Sequence, residues 1–186
     1  MTGEAAQAEV LVATASQTVG PFFQIGMAHL NEESVGDADA RDDAVSVSGR
    51  ILDGNGDVVC DAVMEVWAAT DARHDDSGCS WAFARVVPQA GGTFHFRVQR
   101  PPGTESSDGS RHAPTIWVLL FMRGLLKPLL TRLYFPNEPA NDHDPVMSLV
   151  AGPRRATLIA RAGSSSRLVE WDVRLQGDHE TVFFEW

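Results

Sequence analysis

Apolar and polar residues alternate in short runs along most of this chain. In the first such run, Val45 and Val47 alternate with Ser46 and Ser48. Because successive side chains of a strand point to opposite faces, this period of two predicts a strand with one buried face. The sequence Asp-Gly-Asn-Gly-Asp follows at 53–57, where Gly and Asn supply the positive φ of a hairpin turn. A strand and a tight turn are therefore predicted in succession.

Short runs separated by turns continue through the rest of the chain. Further strands are predicted at 62–69, 82–87, 94–98, 115–122, 129–135, 157–162 and 168–175. A single helical turn is predicted at 145–151, with Asp144 as its cap and Pro145 at its first position. The polar segment 100–113, rich in Pro and Gly, is predicted to be a surface loop. Many short strands with little helix indicate an all-β fold, an antiparallel β-sandwich.

The N-terminal part of the chain lacks this alternation. Residues 1–43 are rich in Ala, Glu and Asp, and their one sustained apolar stretch is Gly20–Leu30. We therefore predict an extended N-terminal arm over 1–43 and a β-sandwich domain over 44–186. A free arm seldom exposes the sequence Pro-Phe-Phe found at 21–23. The arm is expected to dock on a partner and to bury these phenylalanines.

Composition argues against several partners and locations. The chain has 186 residues and a formal net charge of −10, whereas nucleic acids and anionic membranes require a basic surface. Its longest apolar run, at 116–122, is too short to span a bilayer. Residues 1–17 do not have the pattern of a signal peptide. Cys60 and Cys79 are too few for a disulfide framework, and we predict unpaired thiols in a cytoplasmic protein.

Four blocks of sequence carry a resemblance to one enzyme family. In chain order they are 16–22 (Ser-Gln-Thr-Val-Gly-Pro-Phe), 47–57 with 62–68, 131–135 (Thr-Arg-Leu-Tyr-Phe) and 176–184. Together they resemble the intradiol ring-cleavage dioxygenases, and the first block resembles the N-terminal signature of the protocatechuate 3,4-dioxygenases within that family. The resemblance covers nearly the whole chain. It implies a β-sandwich of the intradiol dioxygenase type.

The resemblance also implies where a metal site should lie. The family binds a non-haem Fe(III) with two tyrosinates and two histidines, and the histidines form a His-x-His sequence on a strand. At the two matching positions this chain has Thr115 and Trp117. The first tyrosine position falls at 74–76, which reads His-Asp-Asp, and the second falls in 100–112, which contains no tyrosine. Tyr134 belongs to a different strand, so no metal site is expected in this chain.

Loss of the ligands implies the alpha-subunit type of a two-chain enzyme. In such enzymes a homologous beta subunit holds Fe(III), and the alpha chain lends a few groups to the pocket for a small aromatic dihydroxy acid. Carried over by motif, these groups are Thr18, Gly20, Pro21 and Arg123. Gly20 permits close backbone approach and Pro21 fixes a turn. Thr18 offers a hydrogen bond, and Arg123 offers positive charge to a substrate carboxylate. The isolated chain is expected to be inactive.

Two alternatives stay open from the residues alone. One is a non-catalytic β-sandwich binding or assembly module derived from the same family. The other is an independent metalloenzyme that uses the His-Asp-Asp cluster at 74–76 or the Asp-His-Asp cluster at 142–144. Acids in polar loops more often serve as caps and turn residues, which favours solvated loops for both clusters. No Ser–His–Asp arrangement and no glycine-rich phosphate loop is indicated by spacing.

Overall fold

Strands dominate the structure. The computed structural model describes residues 12–73 and 79–185, without the side chains of 71–73 and 79. Its strands are β1 (Ser34–Val35), β2 (Val45–Leu52), β3 (Val63–Arg73), β4 (Cys79–Val86), β5 (Thr93–Val98), β6 (Thr104–Glu105), β7 (Arg111–His112), β8 (Thr115–Phe121), β9 (Leu129–Tyr134), β10 (Arg161–Ala162), β11 (Leu168–Glu170) and β12 (Val173–Arg174). Its α-helices are α1 (Phe23–Met27), α2 (Pro145–Leu149) and α3 (Gly152–Arg155), and short 3-10 turns cover Ala28–Leu30, Ala38–Ala40 and Pro139–His143.

Two sheets form the predicted sandwich. One has the strand order β1-β5-β2-β11-β10, with β12 also paired to β2, and the other has the order β4-β3-β8-β9. The four-stranded sheet is antiparallel throughout. The first sheet is mixed, because β11 and β12 run parallel to β2 and β1 runs parallel to β5. The all-β sandwich is therefore confirmed, with parallel pairs that the alternation pattern does not distinguish.

The core lies between the two sheets. Its fully buried members include Val47, Ile51, Phe94 and Phe96 from one sheet and Met64, Val66, Ile116, Val118 and Leu120 from the other. These residues occupy alternate positions along their strands, as the period of two predicts. A second, smaller cluster packs Tyr134 with Ala113, Met147, Val150 and Leu158, at the level of α2. This smaller cluster positions the polar network described below.

The strand predicted at 168–175 is interrupted where it crosses β2. The backbone at Trp171 passes so close to Gly49 that a Cβ on residue 49 would lie 1.8 Å from the Trp171 carbonyl oxygen. One residue later, the Asp172 carboxylate accepts the Arg50 backbone N–H at 3.0 Å, in place of a ladder carbonyl. A hydrogen bond to a side chain therefore replaces one backbone hydrogen bond of the sheet. As a result, β11 and β12 are separate strands.

Three further predictions differ in detail from the structure. The segment predicted as a loop at 100–113 contains a small two-stranded sheet, β6 paired with β7. The strand predicted at 157–162 is reduced to β10, and before it Ile159 forms only an isolated bridge to Tyr134. The helical turn beginning at Pro145 is confirmed as α2, and the Asp144 side chain accepts the backbone N–H groups of Val146 and Met147. Local capping chemistry was thus a reliable signal.

The N-terminal arm is partly built into the sandwich. Val35 pairs with β5, and the side chains of Val35 and Ala38 are buried, so pairing begins before the predicted start at residue 44. Phe23 packs on Phe121, with ring centroids 6.0 Å apart. Phe22 is 77% exposed in this chain, and its burial on a partner remains a prediction. The division at residue 44 remains a prediction.

Two observations bear on the predicted location and thiols. Within the described ranges, no helix is both long enough and apolar enough to cross a membrane. Cys60 carries an exposed free thiol.

Candidate functional site

The four residues carried over by motif lie around one surface, which we call the arm–turn patch (Thr18, Gly20, Pro21 and Arg123). The hydroxyl oxygen of Thr18 accepts the backbone N–H of Gly124 at 2.8 Å, which ties the arm to the turn after β8. The Phe23 ring contact with Phe121 ties the arm a second time. Gly20 and Pro21 lie between these two anchors. The structure thus brings the arm beside the turn that carries Arg123.

Arg123 stands at the exposed end of this patch. Its Nε donates to Asp61 Oδ2 at 2.5 Å, and its side chain is still 59% exposed. A guanidinium has five N–H donors in a planar fork, so one bond to Asp61 leaves donors for a further acceptor. The patch therefore presents an oriented positive charge at the surface.

We expect Thr18→Ala to loosen the arm. The substitution removes the acceptor of the Gly124 N–H, a bond worth about 1 kcal/mol, so the population of released arm should rise about fivefold. Chymotrypsin cleavage after exposed Phe22, followed by mass spectrometry, measures this population. Ser16→Ala, an exposed hydroxyl on the same arm, is the matched control and should cleave at the wild-type rate. Equal cleavage of both variants would show that the bond does not hold the arm.

The positions that match the histidine ligands lie on the outer face of the four-stranded sheet. Thr115 is buried and lies opposite Tyr134 in the β8–β9 register, and Trp117 lies opposite Arg132. The Arg132 guanidinium carbon is 3.9 Å from the centroid of the Trp117 ring and 5.9 Å from that of Phe184. With Arg132 only 8% exposed, a cation stacked between aromatic rings fills this part of the sheet.

These residues do not fit Fe(III). An indole N–H and a guanidinium are donors with no lone pair for a metal, and Arg132 adds a fixed positive charge. The single tyrosine is also unsuitable, because its hydroxyl donates to Asp144 Oδ1 at 2.9 Å in the buried cluster. Burial and the Asp144 carboxylate raise the pKa of Tyr134 above its ordinary value of 10.0, which keeps the phenol protonated.

Two acidic loop clusters, at 74–76 and 142–144, are the alternative metal sites suggested by the sequence. The 74–76 cluster lies outside the described residues. In the 142–144 cluster, His143 is exposed, whereas Asp144 is fully buried and bonded to Tyr134. Across 12–73 and 79–185, no group of three His, Cys, Asp or Glu side chains is arranged to hold a metal.

Asp144 is the centre of a polar network that spacing did not reveal. Oδ1 accepts the Tyr134 hydroxyl and the N–H groups of Val146 and Met147, and Oδ2 accepts the Ala113 N–H at 2.9 Å. His112 Nδ1 lies 3.4 Å from Oδ2. Burial alone would raise the pKa of Asp144, but these hydrogen bonds and His112 together lower it below 3.8. The carboxylate is therefore charged at neutral pH.

His112 extends the network to the β6–β7 hairpin, where its Nε2 lies 2.8 Å from Ser106 Oγ. The structure therefore brings Ser106, His112 and Asp144 together, an arrangement that spacing does not indicate. The one sequence signal was the capping position of Asp144 before Pro145, which identified the carboxylate but not its partners.

An aromatic groove covers the other half of the same sheet face. It has a volume of about 360 Å³ and is lined by Trp67, Trp81, Trp117 and Leu119. Trp81 is 44% exposed and meets Trp117 edge to face, with ring centroids 6.2 Å apart. Large exposed aromatic surfaces of this kind commonly mark interaction sites.

Known proteins resemble this chain over nearly its whole length. The protocatechuate 3,4-dioxygenase alpha chain of Burkholderia cepacia is 36% identical over 193 residues, covering 92% of this chain and 96% of that one. The protocatechuate 3,4-dioxygenase alpha chain of Pseudomonas putida is 34% identical over 198 residues, covering 95% and 98%. Among solved structures, hydroxyquinol 1,2-dioxygenase from Pseudomonas putida DLL-E4 superposes with a TM-score of 0.60 at 18% identity, over 90% of this chain and 68% of that one, which supports the fold. No family profile matches the chain.

Proposed function

This chain belongs to the alpha chains of protocatechuate 3,4-dioxygenase, subunits of an intradiol dioxygenase, and on that premise we propose that it completes the active site of a homologous beta chain that binds Fe(III). The assembled hetero-oligomer would insert both atoms of O2 between the two hydroxyl-bearing carbons of protocatechuate, giving 3-carboxy-cis,cis-muconate. The observation that carries the proposal is the arm–turn patch, in which Thr18 and Gly124 hold the arm beside an exposed Arg123.

In this proposal the chain contributes positioning and charge. The beta chain's Fe(III), when bound, supplies coordination of the two substrate hydroxyl oxygens. Arg123 donates to the substrate carboxylate in a charge-assisted hydrogen bond, which fixes the orientation of the ring. Gly20, which has open space where a Cβ would stand, lets the backbone approach the ring, and Pro21 limits the freedom of that segment. Closure by the arm excludes water from the pocket.

Exposed apolar residues support association with a partner. Phe22 is 77% exposed and Ile25 64% exposed on the arm, and Trp81 adds an exposed indole on the sheet. Apolar side chains exposed in one chain are covered when a partner chain packs on them. A second chain of the same fold would remove them from water.

The proposal is tested by isolating the native complex. The tagged chain is purified gently from its host, co-purifying proteins are identified, and iron and visible absorbance are measured on the same sample. We expect a coloured complex with a second β-sandwich chain that carries His-x-His and two suitable tyrosines. A colourless, iron-free homo-oligomer would refute the subunit role and favour the binding module instead.

A further inference from the structure

Three side chains outside the arm–turn patch form a line from the surface to a buried charge. Ser106 Oγ lies 2.8 Å from His112 Nε2, and His112 Nδ1 lies 3.4 Å from Asp144 Oδ2. Ser106 is partly exposed, the His112 side chain is 17% exposed, and Asp144 is fully buried. A nucleophile beside a base, with the base oriented by a third group, is the arrangement that activates serine in acyl transfer. We call these three residues the Ser106 relay.

The buried Asp144 carboxylate is the charged group beside His112 Nδ1. Asp144 is held by backbone N–H groups and by Tyr134, so its position does not depend on His112. His112 Nδ1 is buried, and among the described residues it has no hydrogen-bond partner other than this carboxylate contact. The Nδ1 edge of the ring thus lies 3.4 Å from the negative charge without a hydrogen bond to it, and this charge favours a proton on Nδ1. In that tautomer Nε2 is the acceptor of the Ser106 hydroxyl.

The hairpin turn places Ser106 at an exposed corner. The Ser106 carbonyl accepts the Gly109 N–H at 2.9 Å, and Gly109 takes a φ of +81°. In the described part of the chain, the backbone N–H of Ser107, which directly follows Ser106, has no acceptor. Amides in that position can stabilise the oxygen of an attacked carbonyl. The Asp108 carboxylate is engaged by Ser110, at 2.9 Å from its N–H and 2.6 Å from its hydroxyl.

We propose that Ser106 is a nucleophile that accepts acyl groups from small activated esters. Ser106 Oγ forms a bond to the ester carbonyl carbon while its proton passes to His112 Nε2. The bond from that carbon to the leaving oxygen breaks, and the leaving group takes the proton from His112. Water then attacks the acyl-serine by the same route, which releases a carboxylic acid and restores Ser106. The relay shares no residue with the arm–turn patch, so this activity is independent of ring cleavage.

The relay is tested with a fluorophosphonate probe on the protein as purified from its host. In this reaction Ser106 Oγ bonds to phosphorus, fluoride leaves, and His112 takes the proton. Peptide mass spectrometry should place the adduct on Ser106, and Ser106→Ala should remove it. Ser166→Ala, which removes an exposed hydroxyl from the turn before β11, should label at the wild-type rate. His112→Ala should label on the order of 100-fold more slowly, because the base is lost.

Several results would overturn the proposal. One is an adduct spread evenly over Ser106, Ser107 and Ser110. Another is a wild-type labelling rate in His112→Ala. A third is the absence of any Ser106 adduct while a known serine hydrolase in the same tube is fully labelled. Each would assign Ser106 and His112 to hairpin structure alone.

Discussion

Asp144→Ala is expected to lower the free energy of unfolding by about 3–5 kcal/mol, the range for breaking a buried charged network. The side chain is fully buried, and its loss leaves four donors without their acceptor. These donors are the N–H groups of Ala113, Val146 and Met147 and the hydroxyl of Tyr134. They belong to the link between β7 and β8, to β9 and to α2, so one substitution loosens three parts of the fold.

Urea unfolding followed by tryptophan fluorescence measures this loss. Asp142→Ala is the matched control, because Asp142 is an exposed acid two residues away, and it should change stability by less than about 0.5 kcal/mol. Tyr134→Phe removes one donor and keeps the ring, so about 1 kcal/mol is expected. If Asp144→Ala were as mild as its control, the network would not hold these elements together.

The same residue predicts a dependence of stability on pH. The pKa of Asp144 in the folded chain lies below its ordinary value of 3.8, so the folded state favours the charged carboxylate. Its contribution is therefore complete above 3.8 and is lost as the pH falls through the lower, folded value. The stability difference between wild type and Asp144→Ala should be constant near neutral pH and should shrink in acid.

Arg123→Ala is expected to lower kcat/KM for protocatechuate by about 10–100-fold, with no loss of iron from the complex. A hydrogen bond to a charged group contributes about 1.5–3 kcal/mol, and each 1.4 kcal/mol is a factor of ten. The exposed guanidinium is the group that we propose meets the substrate carboxylate. Steady-state kinetics and iron content are measured on the same preparation.

Two controls separate this role from a general effect of charge. Lys127→Ala removes an exposed cation from the same β8–β9 connection and should leave turnover unchanged. Catechol, which lacks the carboxylate, should react equally with wild type and Arg123→Ala. Unchanged kinetics with protocatechuate would remove Arg123 from the pocket, and a loss of iron would indicate a structural role instead.

The sequence predicted elements whose signal is local. Alternation of apolar and polar residues located β2 and β5, and an acid before Pro145 located the cap of α2. The break between β11 and β12 has no such signal, since it depends on the Asp172 carboxylate meeting the Arg50 N–H from a distant strand. The β6–β7 hairpin was missed because two-residue strands of polar residues show no period.

In the candidate site too, the residues could be predicted from the sequence, whereas their long-range contacts could not. Motif order identified the members of the arm–turn patch, but the Thr18–Gly124 bond joins residues 106 positions apart and needed the fold. Only one member of the Trp117–Arg132 stack could be predicted, because the motif placed Trp117 at a ligand position without showing which residue lies opposite. The line from Ser106 to Asp144 could not be predicted, since it arises from the hairpin folding back over the start of β8.

The position of β2 has a consequence for how the chain is made. The four-stranded sheet can pair fully once Tyr134 has been synthesised, whereas β2 receives β11 and β12 only when the ribosome has reached Arg174. In that interval a nascent chain carries a central strand with one open edge, and open edges recruit strands from other chains. Until Arg174 has been synthesised, a bound chaperone would protect the open edge of β2. The speed of translation through the segment before β11 determines how long neighbouring nascent chains can pair with that edge.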